Sequence, residues 1–199
     1  MMTSKRIRIL MFILTLAFLT QTSTTALAAP DTEERIGRLT VTGVVKVNGK
    51  PAATGDIVTS GSEIQTAKGS SAIVSLGKLG SVEAQPSTKI KVIYTDISTT
   101  HNTASFSVLL GDGSAKVATG EGLGFFVDCF VQSGSTATRP SLRTGHHVFT
   151  VESTCGNTSV SVAMGEVELR TGKGVKQISA GGQGTAGQAT PGCVQTAKS

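Results

Sequence analysis

The chain has 199 residues, of which 38% are hydrophobic and 16% charged, with a formal net charge of +5 and three cysteines. A chain of this length buries enough apolar surface to fold as one domain without metals or disulfides. Aromatic residues make up 4% and tryptophan is absent, which disfavours a carbohydrate site with aromatic platforms and a base-stacking nucleic-acid interface.

The N-terminal residues are organised like a secretory signal peptide. Three basic residues precede an apolar run over residues 9–19, and the small residues Ala26 and Ala28 follow it. This order predicts a signal peptide over residues 1–28, cleaved between Ala28 and Ala29, and hence a periplasmic or secreted protein. Since a membrane-spanning helix needs about 20 apolar residues, we expect no stable transmembrane segment after cleavage. An uncleaved signal anchor is the alternative.

Removal of the signal peptide also changes the charge of the protein. It takes away three of the 18 basic residues and none of the 13 acidic ones, which leaves a net charge of +2. The remaining basic residues are scattered along the sequence, whereas nucleic-acid binding normally requires them to cluster on one face. We therefore expect no nucleic-acid partner.

The mature chain alternates apolar and polar residues in short runs separated by glycine-containing turns. Glycine recurs at every sixth residue from Gly43 to Gly61, and period-two alternation continues in "SSAIVSLG", "STKIKVIY", "ASFSVLLG", "SVSVAMG" and "EVELRT". No stretch shows the three-four spacing of an amphipathic helix, so the sequence predicts an all-β protein. A short-strand β-roll or solenoid-like stack is the expected architecture, and a β-sandwich is the alternative.

A weak internal similarity supports a layered arrangement. The pattern Gly-x-apolar-x-apolar begins at Gly43, Gly113 and Gly165. In each copy the glycine is expected to close a turn before the next strand. The intervals between copies are unequal, which excludes a repeat of fixed period.

Two regions lack the strand pattern. Residues 132–147 are polar and contain Pro140, which predicts a long surface loop. Residues 180–199 are rich in glycine, alanine and threonine and have no apolar run, which predicts a mobile tail.

The three cysteines all lie in the exported part, where oxidation is permitted. Cys129 and Cys155 occur in strand-like contexts, "GFFVDCFV" and "VESTCGNTSV", whereas Cys193 lies in the polar tail. We therefore expect a disulfide between Cys129 and Cys155. The alternative is that these two are buried thiols.

Few residues have the spacing of a metal or cofactor site. His146 and His147 are adjacent, and neighbouring residues on a strand point to opposite faces, so we expect no metal site there. The glycines Gly182, Gly184 and Gly187 match the letters of a dinucleotide fingerprint, but that motif needs a strand before it and a helix after it, and only 12 residues follow Gly187 in this sequence. The sequence therefore predicts neither a metal nor a cofactor.

Two groups of residues have the types needed for catalysis. Cys155 lies close in sequence to His146 and His147, which allows the hypothesis of a cysteine nucleophile with a histidine base. Glu166 and Glu168 share one strand face and could in principle supply the paired carboxylates of glycoside cleavage, but exposed acids on a strand face are far commoner. We expect no catalytic residues, and a cysteine-dependent hydrolase remains the alternative.

Residues 38–187 contain glycine-punctuated strands in a distinctive order. The segment "GVVKVNGKPAATGDIVTSGSEIQTAKGSSAIVSLGKLGSVEAQPSTKIKV" has a Gly-x-Val strand, a Gly-Asp turn, a Gly-x-x-Ile-x-Thr step and a strand over residues 82–92 that contains Pro86. The segments "SFSVLLGDGSAKV", "HHVFTVEST" and "VSVAMGEVELRTGKGVKQISAGGQGTA" follow. In this order, residues 38–187 resemble an exported FecR-type domain. Residues 188–199 fall outside the resemblance as a flexible C-terminal tail.

The resemblance implies an all-β, roll-like exported domain without a cofactor or an active site. In signalling members of the family, a cytoplasmic region restrains a sigma factor and a transmembrane helix links it to the exported part. Eight residues precede the apolar run in this sequence, so we expect no such cytoplasmic region here. The expected function is a non-catalytic binding or scaffold module that recognises an envelope protein or polymer, with a purely structural cell-surface protein as a further alternative.

Overall fold

The computed structural model describes residues 37–98, 103–120, 126–141 and 145–187. The predicted signal peptide, its cleavage site and residues 188–199 lie outside these ranges and stay predictions. The described residues form seventeen strands and one short 3-10 turn, Gly77–Leu79. No helix in this part of the chain has the length and apolarity needed to cross a bilayer.

Ten strands form the N-terminal half of the fold. They are β1 Gly37–Thr42, β2 Val45–Val47, β3 Lys50–Pro51, β4 Ile57–Val58, β5 Ser62–Thr66, β6 Ser71–Ser75, β7 Gly80–Ala84, β8 Lys89–Ser98, β9 Thr103–Leu110 and β10 Gly113–Thr119. Seven strands form the C-terminal half. They are β11 Phe126–Ser133, β12 Thr136–Pro140, β13 Val148–Thr154, β14 Asn157–Met164, β15 Glu166–Thr171, β16 Gly174–Ser179 and β17 Gln183–Gly187.

The strands assemble into two open sheets. The eight-stranded sheet has the order β17-β14-β13-β10-β7-β6-β1-β4, and the nine-stranded sheet has the order β16-β15-β12-β11-β9-β8-β5-β2-β3. The predicted all-β class is confirmed, and the two sheets correspond to the sandwich alternative. The sheets pack their apolar faces together, as strands with one buried face require.

Alternation along the strands produces the core between the sheets. β13 alternates half-buried and buried residues over its whole length, and β12 and β14 show the same pattern. Phe106 of the nine-stranded sheet and Phe149 of the eight-stranded sheet are the largest fully buried side chains. Valines supply much of the remaining core, which suits strands because β-branched side chains pack well on a pleated surface.

The two halves of the sequence lie side by side, and each contributes adjacent strands to both sheets. They join at two seams, where β10 pairs with β13 and β9 pairs with β11. The β9–β11 pairing is parallel, because the chain crosses to the other sheet through β10 before it returns as β11. The fold therefore consists of two strand groups that complete each other's sheets.

Buried hydroxyl groups hold the segments where the chain passes from one sheet to the other. The Thr66 hydroxyl donates to the carbonyl oxygen of Gln85 at 2.6 Å and accepts the N–H of Thr88 at 2.9 Å. The Thr88 hydroxyl accepts the N–H of Ser114 at 2.9 Å. These contacts satisfy backbone groups that no neighbouring strand pairs at these corners.

Two regions differ from their predicted loop and tail. Residues 132–147 contain β12, whose inward residues Thr136, Thr138 and Pro140 are small or polar, so the strand carries no apolar alternation to reveal it. Residues 180–199 contain β17, a glycine-rich strand that pairs with β14. Both strands form because partner strands supply hydrogen bonds and a buried face, which local sequence does not report.

Tyr94 connects the two sheets and makes the free energy of unfolding depend on pH in the alkaline range. Its hydroxyl donates to the carbonyl oxygen of Val58 at 3.2 Å, and burial raises the pKa of Tyr94 to about 12. An unfolded tyrosine ionises near pH 10, so the stability that neutral Tyr94 contributes is complete below about pH 10 and is lost as pH rises towards 12.

We expect the melting temperature of the wild type to fall more steeply above pH 10 than that of Tyr94→Phe, which keeps the ring but cannot ionise. Near neutral pH, Tyr94→Phe is expected to be less stable by about 1 kcal/mol, because it lacks the hydrogen bond. Thermal melts of both proteins across this pH range measure the difference. Parallel curves at every pH would contradict the role assigned to the phenol.

Candidate binding surface at the edge of the nine-stranded sheet

The two adjacent histidines are structural residues at the start of β13. His147 is 5% exposed, and its backbone N–H donates to the Thr119 hydroxyl at 2.8 Å. Its Nδ1 accepts the N–H of Glu166 at 3.2 Å. His146 Nδ1 contacts the carbonyl oxygen of Thr119. No group of three or more potential metal ligands occurs among the described residues.

The hypothesis of a cysteine nucleophile paired with these histidines is wrong on geometric grounds. His147 immediately precedes β13 and Cys155 immediately follows it. Eight residues of extended chain correspond to about 26 Å, whereas a nucleophile and its base must lie within hydrogen-bonding distance. Because His147 and Cys155 lie at opposite ends of the extended strand β13, they are close in sequence but far apart in space.

The strand register also corrects the expected pairing of Cys129 with Cys155. β11 and β14 meet where the Thr158 hydroxyl donates to the Ser133 hydroxyl at 3.2 Å. Cys129 lies four residues before Ser133 in β11, which is towards the middle of the sheet. Cys155 lies three residues before Thr158, in the turn beyond the end of the sheet, so the two distances from the contact add. The separation along the strands is about 20 Å, beyond the roughly 7 Å that a disulfide allows between Cα atoms. The side chain of Cys129 lies outside the described residues.

Glu166 and Glu168 do not form a catalytic carboxylate pair. Oε2 of Glu168 accepts hydrogen bonds from Arg170 Nη2 at 2.6 Å, from Arg170 Nε at 2.9 Å and from Arg139 Nε at 3.2 Å. The hydrogen bonds from Arg170 are the main cause that holds the pKa of Glu168 below its usual value, so this carboxyl stays ionised and cannot act as an acid. Glu166 Oε2 accepts from the Ser179 hydroxyl at 3.2 Å.

The glycines that match the dinucleotide fingerprint lie in and beside β17. Gly184 packs against the buried Ile178 side chain, and Gly187 lies against the backbone of Gly156. A strand at this position offers no helix N-terminus for a pyrophosphate. These glycines therefore serve close packing of the sheet edge.

The four sheet edges differ in how well they can accept another strand. At one side of the sandwich, β3 and β4 have two residues each, and β3 contains Pro51. Short strands and proline are common protections of sheet edges. At the other side, β17 has five residues and β16 has six. β16 is the longest edge strand of the described residues, and its first four residues are exposed.

The backbone of β16 presents hydrogen-bonding groups outward. Glu166 directs its N–H to His147 and accepts the N–H of Ser141 at 3.0 Å, so its backbone faces away from its register partner Ser179. Because antiparallel pairs alternate between bonded and non-bonded, the backbone groups of Gln177 and Val175 also point away from β15. Within the part of the chain that the structure describes, β16 therefore presents a row of backbone donors and acceptors that no neighbouring strand pairs.

The side chains around this edge are cationic with an exposed apolar residue. Val175 is 56% exposed and pairs in register with Arg170. Lys173 lies in the β15–β16 turn, and Lys176 pairs with the buried Leu169, which places a lysine on the inward face of an edge strand. An inward lysine discourages pairing with a second copy of an apolar edge. We call β16 with Arg139, Glu168, Arg170 and Lys173 the β16 edge.

A concave feature lies on the outer face of the eight-stranded sheet. It has a volume of about 430 Å³ and is bordered by β13, β14 and β17. Small polar residues line it, among them Asn157, Ser159 and Thr185, together with the carboxylate of Glu152. Its lining lacks the convergent apolar residues typical of small-molecule sites.

The β16 edge was missed as a site by sequence reasoning, although one local signal existed. "TGKG" is a turn sequence between "EVELR" and "VKQIS", and two residues separate the strands. A hairpin could be found from that spacing. Its position at a sheet edge could not, because this depends on the order of distant strands.

No protein-family model and no curated protein matches the sequence. Two crystal structures of a proposed anti-sigma factor from Parabacteroides distasonis superpose with TM-scores of 0.48 and 0.46 at 18% and 17% identity. Each match covers 63% of this chain and 54% of the other, so it spans about half of that protein's length.

Proposed function

We propose that this chain is an exported, non-catalytic binding module that recognises an envelope protein by accepting an extended segment along the β16 edge. The observation that carries the proposal is the exposed six-residue edge strand with outward backbone groups. An exposed edge can pair with a segment of another protein through main-chain hydrogen bonds. Export is supported by the signal-like residues 1–28 and by the resemblance of residues 38–187 to exported FecR-type domains.

The charge of the β16 edge favours an acidic partner segment. Arg170, Lys173 and Lys176 lie within seven residues of one another, and Glu168 is already engaged by two arginines. An acidic side chain next to this hairpin gains attraction without displacing a lysine from an existing ion pair among the described contacts. Such complementarity mainly raises the association rate and selects the partner.

The alternative of a cysteine-dependent hydrolase loses its geometric basis, because β13 separates Cys155 from His147. A purely structural surface protein remains distinguishable from a binding module by experiment. A structural protein needs no particular backbone group on β16, whereas strand addition needs them.

The matched variants Gln177→Pro and Gln177→Ala test the proposal. Proline at this position removes an outward N–H and spares the pairing with β15, whereas alanine keeps the N–H and removes only the side chain. We expect Gln177→Ala to capture the same crosslinked proteins from an envelope fraction as the wild type. Gln177→Pro should capture them at least roughly tenfold less, the effect of about 1.4 kcal/mol.

Thermal melts of both variants show whether the fold is preserved. Reduced capture counts as loss of binding only for a variant that is folded. Equal capture by Gln177→Pro and Gln177→Ala would remove β16 as the binding edge. Failure of the wild type to capture any protein reproducibly would favour the purely structural alternative.

A further inference from the structure

The C-terminal end of the described chain lies beside the turn that carries Cys155. β17 runs antiparallel to β14, and its last residue Gly187 pairs in register with Asn157, the first residue of β14. The two backbones are close here, because a Cβ on Gly187 would meet the carbonyl oxygen of Gly156. β17 therefore delivers the chain to the tip of the β13–β14 hairpin.

Cys155 is held at that tip in a defined conformation. It occupies the turn with Gly156, between the paired residues Thr154 and Asn157, and has a φ of 52°. It is only partly buried, so it lies at the surface end of the hairpin. Cys129 lies about 20 Å away along the strands and is no candidate partner.

Cys193 is within reach of this position. Cys193 is the sixth residue after Gly187, and a chain of that length spans at most about 20 Å when fully extended. Gly187 is adjacent to Asn157, two residues from Cys155, so the chain has more than enough length. The sequence Pro191-Gly192 immediately before Cys193 is typical of a turn that reverses the chain.

We propose that Cys155 and Cys193 form a disulfide that fastens the C-terminal segment to the β13–β14 hairpin. The reaction joins the two sulfur atoms and releases two protons and two electrons, which an oxidised disulfide compound takes up as it becomes a dithiol. The bridge secures β17, an edge strand with five residues and two glycines that has little side-chain packing of its own. This inference does not depend on the function proposed for the β16 edge.

Peptide mapping under non-reducing conditions tests the pairing. The full chain is purified and equilibrated in a buffer of oxidised and reduced glutathione, and remaining thiols are alkylated. Trypsin separates the cysteines, because Arg143 lies between Cys129 and Cys155 and Arg170 lies between Cys155 and Cys193. We expect a linked pair of peptides that contains Cys155 and Cys193, lighter than their sum by two hydrogens. Alkylated Cys155 and Cys193, or a link from either to Cys129, would overturn the proposal.

Serine variants supply an independent measurement. Cys155→Ser and Cys193→Ser are each expected to lower the melting temperature by roughly 5 °C or more, and a reducing agent should lower the wild type equally. Cys129→Ser is the control and should keep the cross-link. A wild-type melting temperature that is indifferent to reduction would count against a bridge that secures β17.

Discussion

Replacement of Gly80 by alanine is expected to destabilise the protein by about 4 kcal/mol or more, or to prevent folding. Gly80 has φ 119° and ψ −142°, a conformation that residues with a side chain hardly adopt. An added Cβ would also fall against the carbonyl oxygen of Ala118. These contacts are backbone atoms at the crossing where Gly120 donates to the Leu79 carbonyl oxygen at 2.8 Å, so they cannot move aside cheaply. The free energy of unfolding from urea denaturation measures the loss.

Gly77→Ala is the matched control for this variant. Gly77 lies three residues earlier and also has a positive φ, 61°. A Cβ added there would meet no atom within 4 Å. We expect it to cost about 1–2 kcal/mol, the strain of a left-handed conformation alone. Equal losses for both variants would show that the crossing at Gly80 is not tightly packed.

The second large effect is expected for Phe149→Ala, with a loss of about 3–5 kcal/mol. Phe149 is fully buried in β13, where its register partners are Val117 of β10 and Val162 of β14. This position lies at the seam between the two halves of the fold. Alanine leaves a cavity there that the valines of three paired strands cannot fill without breaking their register. Urea denaturation at equilibrium is again the measurement.

Ile73→Ala serves as the control for removal of apolar area without a cavity. Ile73 is 38% exposed on the outer face of the eight-stranded sheet. We expect its loss to stay below about 1 kcal/mol, as surface substitutions usually do. If Phe149→Ala cost no more than Ile73→Ala, the core at the seam would have to relax far more than a close-packed sandwich allows.

The class of the fold was predictable because it follows from local patterns. Gly43, Gly113 and Gly165 all have positive φ in the structure, and each precedes or opens a strand, as the repeated Gly-x-apolar-x-apolar pattern indicated. Period-two alternation likewise identified strands such as β6, β13 and β14. These features depend on one or two residues at a time, so a single sequence contains them.

The pairing of strands was not predictable from local patterns. β12 and β17 have few apolar residues, and they form strands only because β11, β15 and β14 offer them partners. The expected Cys129–Cys155 bridge had the same weakness, since the similar contexts of the two cysteines say nothing about their positions along the sheets. Two residues in strand-like sequences can lie at opposite levels of a sandwich.

The candidate site was hidden for a related reason. Sequence reasoning looked for reactive side chains and found His146, His147, Cys155, Glu166 and Glu168, each of which has a structural contact or a distant partner in the fold. The β16 edge contains no reactive group. Its significance arises from the absence of a further strand beside it among the described residues, which only the sheet order reveals.

The side-by-side arrangement of the two strand groups bears on how the protein folds during synthesis. Residues 37–119 contain every strand of the first group, so they can establish their own pairings before the rest of the chain emerges. Until β11 and β13 pair with them, β9 and β10 are exposed edge strands, one in each sheet. The C-terminal strands thus add to sheets that have already formed. If their synthesis is delayed, the exposed edges of β9 and β10 can pair with strands of neighbouring nascent chains.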